Sequence, residues 1–110
     1  MDMEKIIERL ISATNAFDVE KALALFSESA VIDDVSVGDK FANTDGVRTY
    51  LERFFVGYHT VSKIESVELF DSRHAKAHID FTGDFGHETG TLDVTVNANG
   101  LIAAIDADLD

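Results

Sequence analysis

The stretch Ala30-Val31-Ile32-Asp33-Asp34-Val35-Ser36-Val37-Gly38 is a short apolar strand carrying two adjacent carboxylates. Successive residues of a strand point to opposite faces, so Ile32 and Asp34 share one face, and Val31, Asp33 and Val35 the other. If Ile32 faces the interior, Asp34 does too. A carboxylate aimed inward costs free energy unless it is neutralised or hydrogen-bonded. Working sites are a common place to find that cost accepted.

Two helices are predicted before this strand. Ile6, Ile7, Leu10, Ile11 and Thr14 recur at helical spacing, with Glu4, Lys5, Glu8 and Arg9 on the remaining surface and Asp2 as cap. Asn15-Ala16-Phe17 breaks this helix. Asp18 caps a second one with the stripe Val19, Ala22, Leu23 and Phe26, and Ser27-Glu28-Ser29 ends the pair. Beyond the strand, Gly38 to Asn43 reads as loop. Thr44 or Asp45 opens a third helix, in which Val47, Tyr50, Leu51, Phe54 and Phe55 follow the i, i+3, i+4, i+7, i+8 pattern until Gly57 stops it.

After Gly57 the period changes to two. Tyr58 to Phe70 reads as a long strand, bulged near Glu65-Ser66 where the alternation slips. In His74 to Phe81, Ala75, Ala77, Ile79 and Phe81 alternate with His74, Lys76, His78 and Asp80. Leu92, Val94 and Val96 alternate in the next strand. Asn99-Gly100 is a hairpin signal, followed by a strand with Leu101, Ala103, Ile105, Ala107 and Leu109 inward. Helices followed by an antiparallel meander predict the α+β class, in one domain over 1–110, with one sheet face packed on three N-terminal helices.

Composition narrows the partners. The net charge of −12, from 9 basic and 21 acidic side chains, argues against nucleic acid, which requires a basic stripe, and against anionic membrane surfaces. A small neutral or cationic apolar molecule is easier to admit. The chain has no cysteine, which excludes disulfides, thiolate metal sites and a cysteine nucleophile. Its N-terminus shows no basic region followed by an apolar segment, so a cytoplasmic location is expected. His74 and His78 lie roughly 13 Å apart along a strand, too far to share one metal, so no metal site is expected.

Asp18-Val-Glu-Lys-Ala-Leu-Ala-Leu-Phe26 before the Asp-Asp strand, Gly46-Val47, Phe54-Phe55 and Asn99-Gly100-Leu-Ile102 together resemble the nuclear transport factor 2-like superfamily. The likeness is to its SnoaL-like polyketide cyclase and ketosteroid-isomerase-like branch, and it covers essentially the whole chain. It implies a cone-shaped, curved mixed or antiparallel sheet wrapped around the helices, with a pocket between them. It also implies chemistry without metal or organic cofactor, and association as a homodimer through the outer face of the sheet. In ketosteroid isomerases such a strand presents a general-base Asp, which the resemblance carries onto Asp34. The family's donor Tyr would fall near Leu10, which donates nothing, and its second Asp near Leu92 or Asp93, where alternation turns Asp93 away. Tyr50, Tyr58 and His59 are the alternative donors. The pocket so implied is lined by Leu10, Thr14, Phe26, Tyr50, Phe54, Tyr58, His59, Phe81, Val94, Ile105 and Leu109.

Apolar walls favour the neutral form of a carboxyl group, and a base working near neutral pH suits proton removal beside a carbonyl. The leading expectation is therefore a cofactor-independent isomerase or cyclase with Asp34 as general base. The alternative is a non-catalytic ligand-binding or dimeric assembly module whose outer face, with His78, Asp80, Asp93, Thr95, Ile102 and Ala104, carries subunit contact. Epoxide hydrolysis needs an Asp-Arg-Asp cluster that Arg48, Arg53 and Arg73 are not evidently placed to complete. The alanines Ala75, Ala77, Ala103 and Ala107 mark either close helix approach or space for a ligand.

Overall fold

Asp2 accepts the Lys5 amide at 3.1 Å and starts the first helix, α1 (Met3–Asn15), in a computed structural model that describes residues 2–110. Its buried side is the expected stripe Ile6, Ile7, Leu10, Ile11 and Thr14, widened by Met3 and Ala13. Phe17 adopts φ 57° in the tight link, and Asp18 caps α2 (Val19–Leu23) through the Lys21 amide. This helix is shorter than its apolar spacing suggests. Strand β1 (Phe26–Asp34) begins at once, because the Leu25 carbonyl is already bonded to the Ile102 amide at 2.8 Å. Phe26 is thus a strand residue facing the core, and Ser27-Glu28-Ser29 is strand too.

Ala30, Ile32 and Asp34 of β1 are buried, as the alternation requires. The turn through Gly38 (φ 71°) leads into β2 (Asp39–Ala42), which pairs antiparallel with β1. The sequence predicts a loop here; Phe41 is the one buried residue of β2, so no alternation announces the strand. Helix α3 (Asn43–Leu51) follows and widens into a π-helical turn, Glu52–Val56. There the Gly57 amide donates to the Glu52 carbonyl at 2.7 Å and the Thr60 amide to Phe55 at 2.8 Å. Tyr58, His59 and Thr60 therefore sit in a turn, and β3 (Val61–Asp71) starts three residues later than the period change implied.

The meander continues through β4 (His74–Gly83), β5 (Gly86–Val96) and β6 (Ile102–Leu109). A register shift between Ile64–Ile79 and Ser66–His78 leaves Glu65 unmatched, the bulge expected there. A second shift, unforeseen, leaves Ala103 unmatched between the pairs Thr95–Ala104 and Val96–Ile102. It turns Ile102 inward, where it is fully buried, and removes it from the outer face; Leu101 and Ala103 lose their expected inward places. The connection before β6 is a loop rather than a two-residue turn, with the Asn97 carboxamide oxygen accepting the amides of Asn99 and Leu101.

One sheet results, in the order β2-β1-β6-β5-β4-β3, with β1 parallel to β6 and every other neighbour antiparallel. Gly90 lets β5 and β6 approach at the open end: a Cβ there would lie 2.3 Å from the Asp108 carbonyl oxygen. The helices fill the concave face. Ala75 and Ala77 are fully buried beneath them, which is close packing rather than ligand space. The opposite face is polar, with His74 paired to Asp93, His78 to Glu68 and His87 to Asp80. Among the described residues, no helix is long and apolar enough to cross a membrane.

Candidate functional site

Asp34 ends β1 with its side chain inside the cone, 6 % exposed. Three donors meet it. Oδ1 accepts the Ser36 amide at 2.9 Å and the Ser36 hydroxyl at 2.5 Å, while Oδ2 accepts the Tyr50 hydroxyl at 2.6 Å. The Ser36 contacts are local: an Asp followed two residues later by Ser folds back on the next turn of chain. The Tyr50 contact is tertiary and depends on how α3 lies against β2. At Gly46, one helical turn before Tyr50, a Cβ would stand 2.9 Å from the Phe41 carbonyl carbon, so only glycine allows this approach.

Tyr50 is held from the other sides by rings. Phe41, Phe54 and Phe55 lie with centroids 5.0, 4.9 and 6.1 Å from it. Its phenol is driven far above the ordinary value, first because burial disfavours the phenolate, then because it donates to Asp34 and faces that negative charge. Tyr50 therefore remains a donor at any physiological pH.

Asp34 and Tyr50 border a cavity of about 270 Å³. The π-helical turn brings the adjacent rings of Phe54 and Phe55 both into its wall, together with Tyr58, Phe81 and Phe85. Ser36, Val37, Thr60, Glu88, Thr91, Leu92, Ala107, Asp108 and Leu109 complete it. Val37, Tyr58, Phe85 and Leu109 are each more than two-fifths exposed and form an apolar rim. The Thr60 hydroxyl is engaged by the Phe54 carbonyl at 2.6 Å.

The SnoaL-like domain model matches residues 7–104. The chain belongs to that family. Solved structures share the fold of this SnoaL-like domain at low identity. A Kribbella flavida protein provisionally described as a ketosteroid isomerase is 12 % identical, with 96 % of this chain and 76 % of that one covered and a TM-score of 0.84. A Sinorhizobium meliloti protein provisionally described as a polyketide cyclase is 17 % identical over 94 % and 93 % of the two chains, also with a TM-score of 0.84. A Cytophaga hutchinsonii protein of unknown function, described as nuclear transport factor 2-like, is 9 % identical over 100 % and 91 %, with a TM-score of 0.83. No functionally curated protein matches the chain.

In this SnoaL-like domain, Asp34, Tyr50, Phe54, Tyr58, Phe81 and Leu109 of the expected site meet at one cavity. Leu10, Thr14, Phe26 and Ile105 do not reach it. They line a separate void of about 20 Å³, and Tyr50, Phe55 and Leu92 border both spaces and act as the partition. The missing donor at Leu10 therefore takes nothing from the cavity. Thr14 spends its hydroxyl on the Ile11 carbonyl at 3.1 Å. Val94 is sealed in the core, and His59 points outward to Asp84 at 2.9 Å. Asp93 is on the outer face with His74, and Arg48 is paired with Glu20 at the surface, away from the aspartates. Phe55 and Leu92 also line the cavity, although periodicity marks them only as core. Ser36 had a usable signal, the Asp-x-Ser spacing; Phe85 and Glu88 in the glycine-rich connection had none.

Proposed function

We propose that this SnoaL-like domain binds a small, largely apolar carbonyl compound and that Asp34 is its general base. The observation that carries this reading is the buried Asp34 carboxylate on the wall of an aromatic cavity. A carboxylate has about four acceptor positions; three are taken by Ser36 and Tyr50, leaving one on Oδ2. Oδ2 takes the proton from the carbon beside the carbonyl. The C–H electron pair forms the enolate C=C bond and the carbonyl π pair moves to oxygen. In a β,γ-unsaturated ketone, return of the proton from Asp34 to the γ carbon, with the double bond moving into conjugation, completes an isomerisation; attack of the enolate carbon on a second carbonyl, whose oxygen takes the proton back from Asp34, completes a cyclisation. Tyr50 positions the base. Its hydroxyl is spent on Asp34 and is not offered to the enolate oxygen.

The descriptions of two structural neighbours, a ketosteroid isomerase and a polyketide cyclase, support the same class of substrate. The cavity volume, just below the roughly 300–1,000 Å³ usual for ligand sites, suits a compact molecule. Proton–deuterium exchange beside the carbonyl of a simple cyclic ketone, followed by NMR in heavy water, tests the role without knowledge of the natural substrate. Asp34→Asn should lower the catalysed exchange by about 100-fold or more while ketone binding persists. Exchange unchanged in that variant would refute the proposal.

A further inference from the structure

Three acidic residues line the cavity, Asp34, Glu88 and Asp108, and no Lys, Arg or His does; the exposed Asp108 carboxylate accepts the Leu109 amide at 2.9 Å. Asp34 is buried at the end of β1. Glu88 is exposed on β5 directly opposite Phe81, which sets it on the sheet face that carries Phe81 into the cavity. In the lining of the same cavity, the rings of Tyr58 and Phe85 meet edge to face with centroids 6.0 Å apart, and both are more than two-fifths exposed. Among the described residues Glu88 enters no ion pair, whereas His59, His74, His78 and His87 each have a carboxylate partner.

A free carboxylate beside exposed aromatic rings is a favourable setting for an organic cation, which gains from the charge and from the ring quadrupoles together. An anionic ligand would meet only repulsion from these carboxylates. The chain's charge of −12 adds long-range attraction for cations. We infer that Glu88, Tyr58 and Phe85 form a subsite for an ammonium group. The preferred ligand is then a carbonyl compound whose outward end carries a protonated or quaternary amine. This inference rests on the cavity being the ligand site proposed above.

The test uses two isosteric ketones: a dimethylcyclohexanone with its quaternary carbon opposite the carbonyl, and the dimethyl-oxopiperidinium with a quaternary nitrogen there. Each is titrated into the full chain at low salt, with binding followed by amide chemical shifts. The cation should bind about fivefold more tightly, and the gap should shrink as added salt screens Glu88. Glu88→Gln should bring the two affinities together and leave that of the neutral ketone unchanged. Asp34→Asn should keep the preference while losing exchange activity. Equal affinities in the unaltered protein overturn the cation subsite but not the role of Asp34. A preference that survives Glu88→Gln overturns the assignment to Glu88. Failure of both ketones to shift cavity resonances overturns the inference together with the reading beneath it.

Discussion

Replacing Tyr50 by Phe removes one donor from a carboxylate that has little water to turn to. The ring stays among Phe41, Phe54 and Phe55, so packing is nearly preserved. A hydrogen bond to a charged partner contributes about 1.5–3 kcal/mol. Relief from burying the hydroxyl offsets part of this, so a loss of about 2 kcal/mol is expected at neutral pH. An unfolding entropy of about 2.1 cal/mol/K per residue makes that a fall in Tm of roughly 9 °C for 110 residues. The pH dependence is the sharper test. Tyr50 has its folded-state pKa raised, so its contribution is complete below the unfolded phenol's value of about 10 and is lost as pH rises beyond it. Above about pH 10 the unaltered protein should lose an extra 1.4 kcal/mol or so per pH unit that the Phe variant does not lose. Urea unfolding of both proteins from neutral to alkaline pH measures the gap. A variant within a degree of the parent at neutral pH, or a gap that stays constant into the alkaline range, would show that the Asp34–Tyr50 bond does not hold the site.

Gly46→Ala would ordinarily gain about 1 kcal/mol in a helix; here the Phe41 backbone lies in the way, so the sign should reverse to a loss of about 1–3 kcal/mol in urea unfolding. The near-UV circular dichroism of Tyr50 should change with it. Ser36→Ala removes the hydroxyl donor but not the amide and should cost about 1 kcal/mol, visible as a lower urea midpoint at unchanged m-value. Ala107→Leu places a side chain into the cavity. Ketone binding should vanish by NMR titration while stability holds or rises by up to about 1 kcal/mol.

What could be read from the chain alone was whatever depends on neighbours in sequence. Asp2 and Asp18 cap helices by bonds to the amides three residues on, and both are visible as letters. The alternation Ala75, Ala77, Ile79, Phe81 names the buried face of β4, and the slip at Glu65 marks the bulge of β3 because period two breaks there. Asp34 on the face of Ile32 follows from the same rule. These signals established the α+β order and drew the resemblance that the family match bears out.

The rest arises from partners far apart in the sequence. Strand β2 exists because β1 offers it an edge; one buried Phe41 is no pattern. Ala103 falls out of register through pairing with Thr95 and Val96, which turns Ile102 inward against the local alternation. The widened turn at Glu52–Val56 brings Phe54 and Phe55 to one wall, and the partition of Tyr50, Phe55 and Leu92 excludes Leu10, Thr14, Phe26 and Ile105 from the cavity. Periodicity can say that a side chain is inside. Which interior space it borders depends on packing between elements, and that is written only in the tertiary structure.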